Sequence, residues 1–419
     1  MVYPRASTSE ATNMMQSDLK NPDLYTERVP HELFAELRRE DPVHWNPEAD
    51  GPGFWALLRH KDIQEVSRRP DLFSSAHEHG GHRIFNENEV GLAGAGDFAI
   101  GIPLISRDPP VHTEYRKLVT PALAPGRLEG IEERISRRCA DLLAKVPLGV
   151  RVDIVPLLAA PLPLLTLAEL LGLPTEMWTK LYDWTNAFVG EDDPDFRQSP
   201  QAMAATLTEF FAFARALFEQ RQAQPGADIA SLLANARIND QPAAFKDFVG
   251  NLILVLVGGN ETTRNSISHT LAAFAADPGQ WERIRARPEL IKTAVREMVR
   301  FATPVMHMRR TATADTEIGG RRIAQGAKVV LWYVSANRDE AVFADADRFM
   351  VDRGNVPHLA FGTGQHTCLG WRLAELQLRV VFEQFAQRVS RFEQIGKPRR
   401  FRSNFINGLK NLDLICSPV

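Results

Sequence analysis

The sequence is short of cysteine, of long apolar runs and of excess charge, and each shortage removes a class of protein. Three cysteines, Cys139, Cys368 and Cys416, in 419 residues are too few and too scattered for a disulfide framework or for paired zinc ligands. They fit a reducing, cytoplasmic setting. No stretch reaches the roughly 20 apolar residues that a bilayer-spanning helix needs. The first twenty residues also lack the basic-then-apolar pattern of a secretory leader, so neither a leader nor a membrane anchor is expected. A formal net charge of -3 with no basic stripe argues against a nucleic-acid partner. There is no internal repeat, and no Pro/Ser-rich hinge divides the chain into two cores.

Hydrophobic residues make up 44% of the chain and charged residues 24%, which leaves ample apolar surface to surround a buried ligand. Residues 1–23 are polar and irregular and are expected to be flexible, with 24–419 forming one domain. The first helical spacing is Leu33, Phe34 and Leu37, within Pro30 to Leu37. Val43-His44-Trp45 and Phe54-Trp55-Ala56-Leu57-Leu58, set among Gly and Pro, predict a small strand pair. Residues 75–106, rich in Gly, His and Asn and without a period, predict a long loop that could cover a pocket. Leu164 to Leu171, bounded by Pro163 and Gly172, is one of several packed helices predicted between Arg127 and Gln222.

The longest helical signal runs from Phe245 to Asp277, and its segment Leu252 to Val257 is apolar all round, which predicts burial on every side. Gly258 and Gly259 interrupt it at a cost of about 1 kcal/mol each against alanine, so a close-packed neighbour is expected to require them. After Arg310 the alternation in Thr316 to Ile323 and Lys328 to Tyr333 predicts strands. The fold class that follows is mainly α with a small β region.

Chemistry concentrates in Phe361-Gly362-Thr363-Gly364-Gln365-His366-Thr367-Cys368-Leu369-Gly370, followed by the helical stretch Trp371 to Leu376. That order sets a cysteine at the mouth of a helix. Backbone N–H groups there stabilise a thiolate, lower the thiol pKa and tune a metal it holds, while glycines admit close backbone approach. A second cluster lies in the long helix. Thr262 follows Gly258 by four residues, so its hydroxyl can bond the Gly258 carbonyl and open the helix locally, with Glu261 beside it to carry protons. Glu297 and Arg300 share one helical face. His77-Glu78-His79-Gly80-Gly81-His82 could pass for a zinc cluster, but its spacings match no common zinc site and no cysteine completes it. We read it as loop with a role in substrate gating.

The cysteine segment matches F-G-x-G-x-H-x-C-x-G at every specified position and so resembles the haem-ligand loop of the cytochrome P-450 family. Gly258-Gly259-Asn260-Glu261-Thr262 resembles the family's oxygen-activation motif, and the resemblance covers the chain from about Pro30 onward. It implies the P-450 fold, with haem b between the long helix and the cysteine loop and Gly258 and Gly259 against it. It further implies Cys368 as axial iron ligand, Phe361 packed near the thiolate, and His112, Arg116, Arg310 and His366 as partners of the haem propionates. Glu297 and Arg300 would join Arg353 in a structural rather than catalytic set.

The activity implied is that of a soluble bacterial-type monooxygenase with dioxygen as co-substrate, Glu261 and Thr262 guiding protons. The pocket positions that the resemblance marks, Phe188, Val189, Leu254, Gly258, Met306, Met308, Phe405 and Ile406, are nearly all apolar and suit an aliphatic or terpenoid-like molecule. The wording around Asn260 to Ser266 and Arg402 to Gly408 looks most like bacterial members that oxidise terpenes, sterol side chains, alkanes or fatty acyl groups. An aromatic substrate, or one whose charged end is held by Arg83 or a nearby histidine, is also open. Electrons are expected from a separate iron-sulfur ferredoxin with its NAD(P)H-dependent reductase, received near Lys117 and Arg372 on the thiolate side. A peroxide-driven peroxygenase and a non-catalytic haem-thiolate binder are the rival readings, and the Glu261-Thr262 pair weighs against both.

Overall fold

A computed structural model describes residues 18–49, 51–84 and 100–419. The helices that build the site are, in chain order, α1 (His31–Glu40), α2 (His60–Ser67), α3 (Val111–Val119), α4 (Pro125–Ala144), α5 (Pro161–Leu170), α6 (Trp178–Val189), α7 (Pro200–Ala223), α8 (Phe245–Ala276), α9 (Ile291–Ala302) and α10 (Trp371–Arg388). Proline opens α4, α5 and α7, where a missing N–H leaves no bond unmade. Ser199 caps α7 by accepting from the Ala202 N–H at 3.2 Å.

Helix α8 is the axis of the molecule and packs against α5, α6, α7, α9 and α10. Phe248, Leu252, Leu256 and Phe274 are buried in the main core. Burial on every side, which the apolar run predicted, is not what forms. Leu254 and Thr262 are half-buried and Gly258 is exposed, so one face at i, i+4 and i+8 stays accessible. The glycine pair divides likewise. A methyl group on Gly259 would lie 3.1 Å from Leu167 Cδ1, the close neighbour expected, whereas one on Gly258 would meet nothing within 4 Å.

The expected strand pair becomes β1 (Val43–Asn46) and β2 (Phe54–Leu57), which join β3 (Phe73–Ser74), β4 (Met308–Ala312) and β5 (Lys328–Leu331) in a sheet of order β1-β2-β5-β4-β3. Only the β2–β5 pairing is parallel. Thr316–Ile318 and Arg321–Ile323 form a hairpin that turns through Gly319 and Gly320 at positive φ. A second sheet of Arg151–Asp153, Val389–Gln394 and Asp413–Pro418 completes the small β content.

Of residues 1–23, expected to be flexible, 18–23 are described. Leu19 is fully buried, donates its N–H to Asn46 Oδ1 at 2.9 Å and accepts the Tyr25 hydroxyl at 2.8 Å, so its apolar side chain draws the chain into the core. Residues 1–17 lie outside the described set, as do 85–99 of the predicted 75–106 loop. The flanks of that loop hold short 3-10 turns at His77–His79 and Leu104–Ser106. No described helix is long and apolar enough to cross a membrane.

Helix α9 is tied to the chain ahead of the cysteine loop by the residues expected to do so. Arg300 Nε and Nη2 donate to Glu297 Oε2 and Oε1 at 2.6 and 2.7 Å, and Arg353 Nε stands 3.0 Å from Glu297 Oε2. Arg300 Nη1 also donates to the carbonyls of Asn337 and Ala346 at 2.6 and 2.8 Å. Every charge in this buried group has a partner, the condition under which such a group supports a structure rather than weakening it.

Candidate active site

The cysteine loop is shaped by two positive-φ glycines, Gly362 (φ 65) and Gly364 (φ 70). A Cβ on Gly364 would stand 2.2 Å from the Ser67 carbonyl oxygen at the end of α2, so no other residue fits there. The Cys368 N–H donates to the Phe361 carbonyl at 2.8 Å, closing the loop on itself, and α10 begins three residues later. Sequence reasoning expected the helix N-terminus to lower the Cys368 pKa. Desolvation raises it, against the Gly370 N–H and the Arg116 guanidinium, which both pull it down, while Cys368 itself is exposed on the loop.

Four cationic or imidazole side chains converge beside this loop. His112 and Arg116 come from α3, Arg310 from β4 and His366 from the loop itself. The rings of His112 and His366 are 4.1 Å apart between centroids. Arg116 Nη1 donates to the Thr367 carbonyl at 2.7 Å, and Arg310 Nη1 to the Arg309 carbonyl at 2.7 Å. Both ring nitrogens of His112 and Nε2 of His366 are buried without a hydrogen-bond partner. Burial pushes His112 down to about 4, with Arg116 adding to it, and drives His366 far below the ordinary histidine value, with Arg310, His112 and Arg116 adding to it. Asp108 lies within electrostatic reach of His112 and Arg310, but its oxygens accept from Ser74 Oγ and the Ser75 N–H. Desolvated donors crowded around unfilled hydrogen-bonding positions fit carboxylates, and a thiol stands beside them. These residues fit a haem: Cys368 would hold the iron, and His112, Arg116, Arg310 and His366 its propionates.

On α8, the Thr262 hydroxyl donates to the Gly258 carbonyl at 2.7 Å, as the spacing predicted, on the accessible face of the helix. Glu261 is placed differently. It is fully buried, ion-paired to Arg264 on the same helix, and accepts from Asn260 Nδ2 at 3.1 Å. Asn260 also donates to Thr185 Oγ1 on α6 at 2.9 Å, and Arg264 Nη1 reaches Asn186 Oδ1 at 3.4 Å. Sequence reading missed Thr185, Asn260 and Arg264. For Asn260 and Arg264 the signal was the polar run after the glycine pair, in a helix otherwise too buried to tolerate it.

Of the expected pocket residues, Leu254, Gly258, Met308 and Phe405 are accessible. Met306 and Phe405 are joined by a hydrogen bond from the Met306 N–H to the Phe405 carbonyl at 2.8 Å, and a bridge pairs Val305 with Ile406. Met306, Ile406, Phe188 and Val189 are buried against protein neighbours, Phe188 edge-on to Phe210 at 5.1 Å. Arg83, considered for a charged substrate end, is paired with Glu191 and lies over the Phe405 ring at 5.3 Å. Among the described residues no group of three or more His, Cys, Asp or Glu is placed to hold a metal ion. In the suspected zinc motif His77 and His79 are exposed, while His82 bonds Ser106. Between α3 and the cysteine loop a cavity of about 730 Å³ is lined by His112, Arg116, Lys117, Gly364 and Gln365. Lys117 and Arg372 are both exposed, Arg372 over the Trp371 ring at 4.2 Å.

A cysteine loop beside carboxylate-binding cations, together with a helix whose Thr262 hydroxyl bonds the Gly258 carbonyl, fits a haem-thiolate monooxygenase. The comparisons with known proteins agree, and the chain belongs to the cytochrome P-450 family, whose model matches residues 166–405. It is 67% identical over 405 residues to a linalool 8-monooxygenase of Pseudomonas putida, covering 97% of this chain and 100% of the relative. A steroid C26-monooxygenase of Rhodococcus jostii is 37% identical over 414 residues, 95% of this chain and 84% of that one. Among solved structures, a cytochrome P-450 from Novosphingobium aromaticivorans superposes with a TM-score of 0.85 at 36% identity, covering 96% of this chain and 100% of the other. A Mycobacterium marinum cytochrome P-450 in complex with pseudoionone gives 0.83 at 34% identity, covering 92% and 94%. The chain is an oxidoreductase acting on apolar small molecules, and haem and dioxygen are the family's typical cofactor and co-substrate.

Proposed function

We propose that the substrate is a monoterpenoid of the linalool type, hydroxylated at a carbon remote from its own oxygen. Identity of 67% along the whole length of a linalool 8-monooxygenase carries this reading. The apolar residues Leu254 and Gly258, on the accessible face of α8 that carries Thr262, support it, as do the accessible apolar side chains Met308 and Phe405. Arg83 is engaged by Glu191, so an anionic substrate end would have to displace an ion pair to reach it. The apolar walls bind and orient the terpenoid and exclude water.

When bound, haem b supplies the oxygen-activating chemistry, by which one atom of dioxygen enters a C–H bond and the other leaves as water. Electrons come from a ferredoxin served by an NAD(P)H-dependent reductase. The exposed Lys117 and Arg372 would steer an acidic carrier to the thiolate side. Thr262 holds a proton at Oγ1 beside the accessible face, and Glu261 restocks it from the buried side of α8. Titrating the ferric holoprotein with linalool, sterols, fatty acids and alkanes, with the Soret band as readout, tests the substrate class. A low-to-high-spin shift with linalool, followed by hydroxylated product with ferredoxin and reductase, is expected. A shift confined to sterols or fatty acids would reassign the substrate, and turnover with peroxide but not ferredoxin would reassign the electron source.

A further inference from the structure

The motif His77-Glu78-His79-Gly80-Gly81-His82 has no part in the site as described so far, yet its last histidine is built into the structure from three directions. We propose that His82 is a further anchor for the haem carboxylates, presenting its Nε2–H to a propionate from the segment between β3 and α3. This rests on the haem-binding reading of the site.

The first observation is a ring tied at one nitrogen. Ser106 Oγ lies 2.6 Å from His82 Nδ1, and no other hydrogen bond is made by that hydroxyl or by the His82 ring among the described residues. With the hydroxyl as donor to Nδ1, the serine proton has an acceptor and the ring proton resides on Nε2, the tautomer on which this anchor depends. His82 Nε2 is then a donor still to be satisfied.

The second is a backbone clamp to the strand that carries Arg310. The Arg309 N–H donates to the His82 carbonyl at 2.7 Å, and Thr311 Oγ1 and Arg309 Nη2 donate to the His79 carbonyl at 2.6 and 3.3 Å. Between these ties the chain reverses through Gly80 (φ 94) and Gly81 (φ 75). A Cβ on Gly80 would lie 2.1 Å from the Arg309 guanidinium, and the positive φ favours glycine there on conformational grounds. The glycine pair that gave the motif its zinc-like look positions His82 against β4.

The third is electrostatic company. His82 feels the charge of Arg310, and its ring is among the groups that act on His366. Burial and these neighbours push His82 down to about 3, so it is neutral and keeps a single ring proton. A neutral N–H donor fixed beside Arg310 and His366 matches the carboxylate those residues are arranged to hold, and would satisfy lone pairs that the guanidinium leaves free.

The test couples His82 to the propionates themselves. Wild type and His82→Phe are reconstituted with haem and with haem dimethyl ester, and porphyrin transfer to excess apomyoglobin is timed. Native haem should leave the variant about tenfold faster, the size expected for loss of one charge-assisted hydrogen bond. With the ester, which offers no carboxylate, the two proteins should release porphyrin at nearly equal rates. Ser106→Ala, which frees the tautomer, should fall between wild type and His82→Phe, and His82→Gln, which keeps a donor, should stay near wild type even if the Phe variant folds poorly. Equal haem release by wild type, Phe and Gln variants, or the same acceleration with ester as with haem, overturns the proposal. Failure of the wild type to take up haem would instead strike the reading of the whole site.

Discussion

Glu261 and Arg264 form an ion pair one turn apart on α8, and both side chains are essentially inaccessible to water. Burial raises the Glu261 pKa, and Arg264 opposes that rise. Arg264→Ala removes the opposition, so the folded-state pKa climbs further above the unfolded value near 4.5. A carboxyl with a raised folded pKa loses stability as pH rises from its unfolded value through its folded one. The variant is therefore expected to be only mildly destabilised at pH 5, where Glu261 can hold a proton, and by about 3–5 kcal/mol at pH 8. Urea unfolding at the two pH values checks this, and an equal loss at both would contradict it.

The two glycines of α8 should respond oppositely to the same substitution. Gly258→Ala adds a methyl that meets no protein atom within 4 Å, so the haem-free helix should gain about 0.5–1 kcal/mol from reduced backbone freedom. That methyl projects beside Thr262 on the accessible face, and substrate-induced spin shifts should weaken. Gly259→Ala brings Cβ to 3.1 Å from Leu167 Cδ1, so any propensity gain must be set against displacing a buried leucine. Thermal unfolding and ligand titration of both variants separate the effects; a stabilised Gly259→Ala with unaltered Gly258→Ala binding would count against the assignment of faces.

Much of this site could be read from the chain because its chemistry is local. The cysteine loop needs its glycines within a few residues of Cys368, and the Thr262–Gly258 bond is a matter of helical spacing alone. Glu297 and Arg300 likewise sit one turn apart, and Arg353 followed from the family pattern. What the sequence hid depends on contacts distant along the chain. Thr185 meets Asn260 across two packed helices, and Ser106 meets His82 across a loop; neither pairing leaves a period or spacing to detect. The expected burial of Leu252 to Val257 on all sides failed for a related reason, since hydrophobicity cannot tell a face packed on protein from one that lines a ligand site.

Thr262→Ala should uncouple electron use from product. The variant loses the hydroxyl that donates to the Gly258 carbonyl and holds a proton beside the accessible face. Product formed per NAD(P)H consumed is expected to fall by about tenfold or more, with peroxide appearing in its place. Thr262→Ser keeps Oγ and should keep most of the coupling. Full coupling in the alanine variant would remove Thr262 from proton handling.

Acid should weaken the fold through buried histidines as well as through its carboxylates. Burial pushes His269, His307 and His358 each down to about 3. The folded protein keeps these rings neutral, while the unfolded chain takes up protons near pH 6.5. Their contribution to stability is complete above that value and is lost as pH falls from 6.5 toward 3. Each ring adds a slope of about 1.4 kcal/mol per pH unit over that window. His269 donates its Nε2–H to the Asn407 carbonyl at 2.9 Å, which makes Nε2 the protonated nitrogen, and Gln can offer a similar donor. His269→Gln should therefore be less stable than wild type at pH 7.5 but show a shallower decline between pH 6.5 and 4, by close to one proton. Urea titrations across that range measure the slope directly, and an unchanged slope in the variant would mean that His269 is not held neutral by burial.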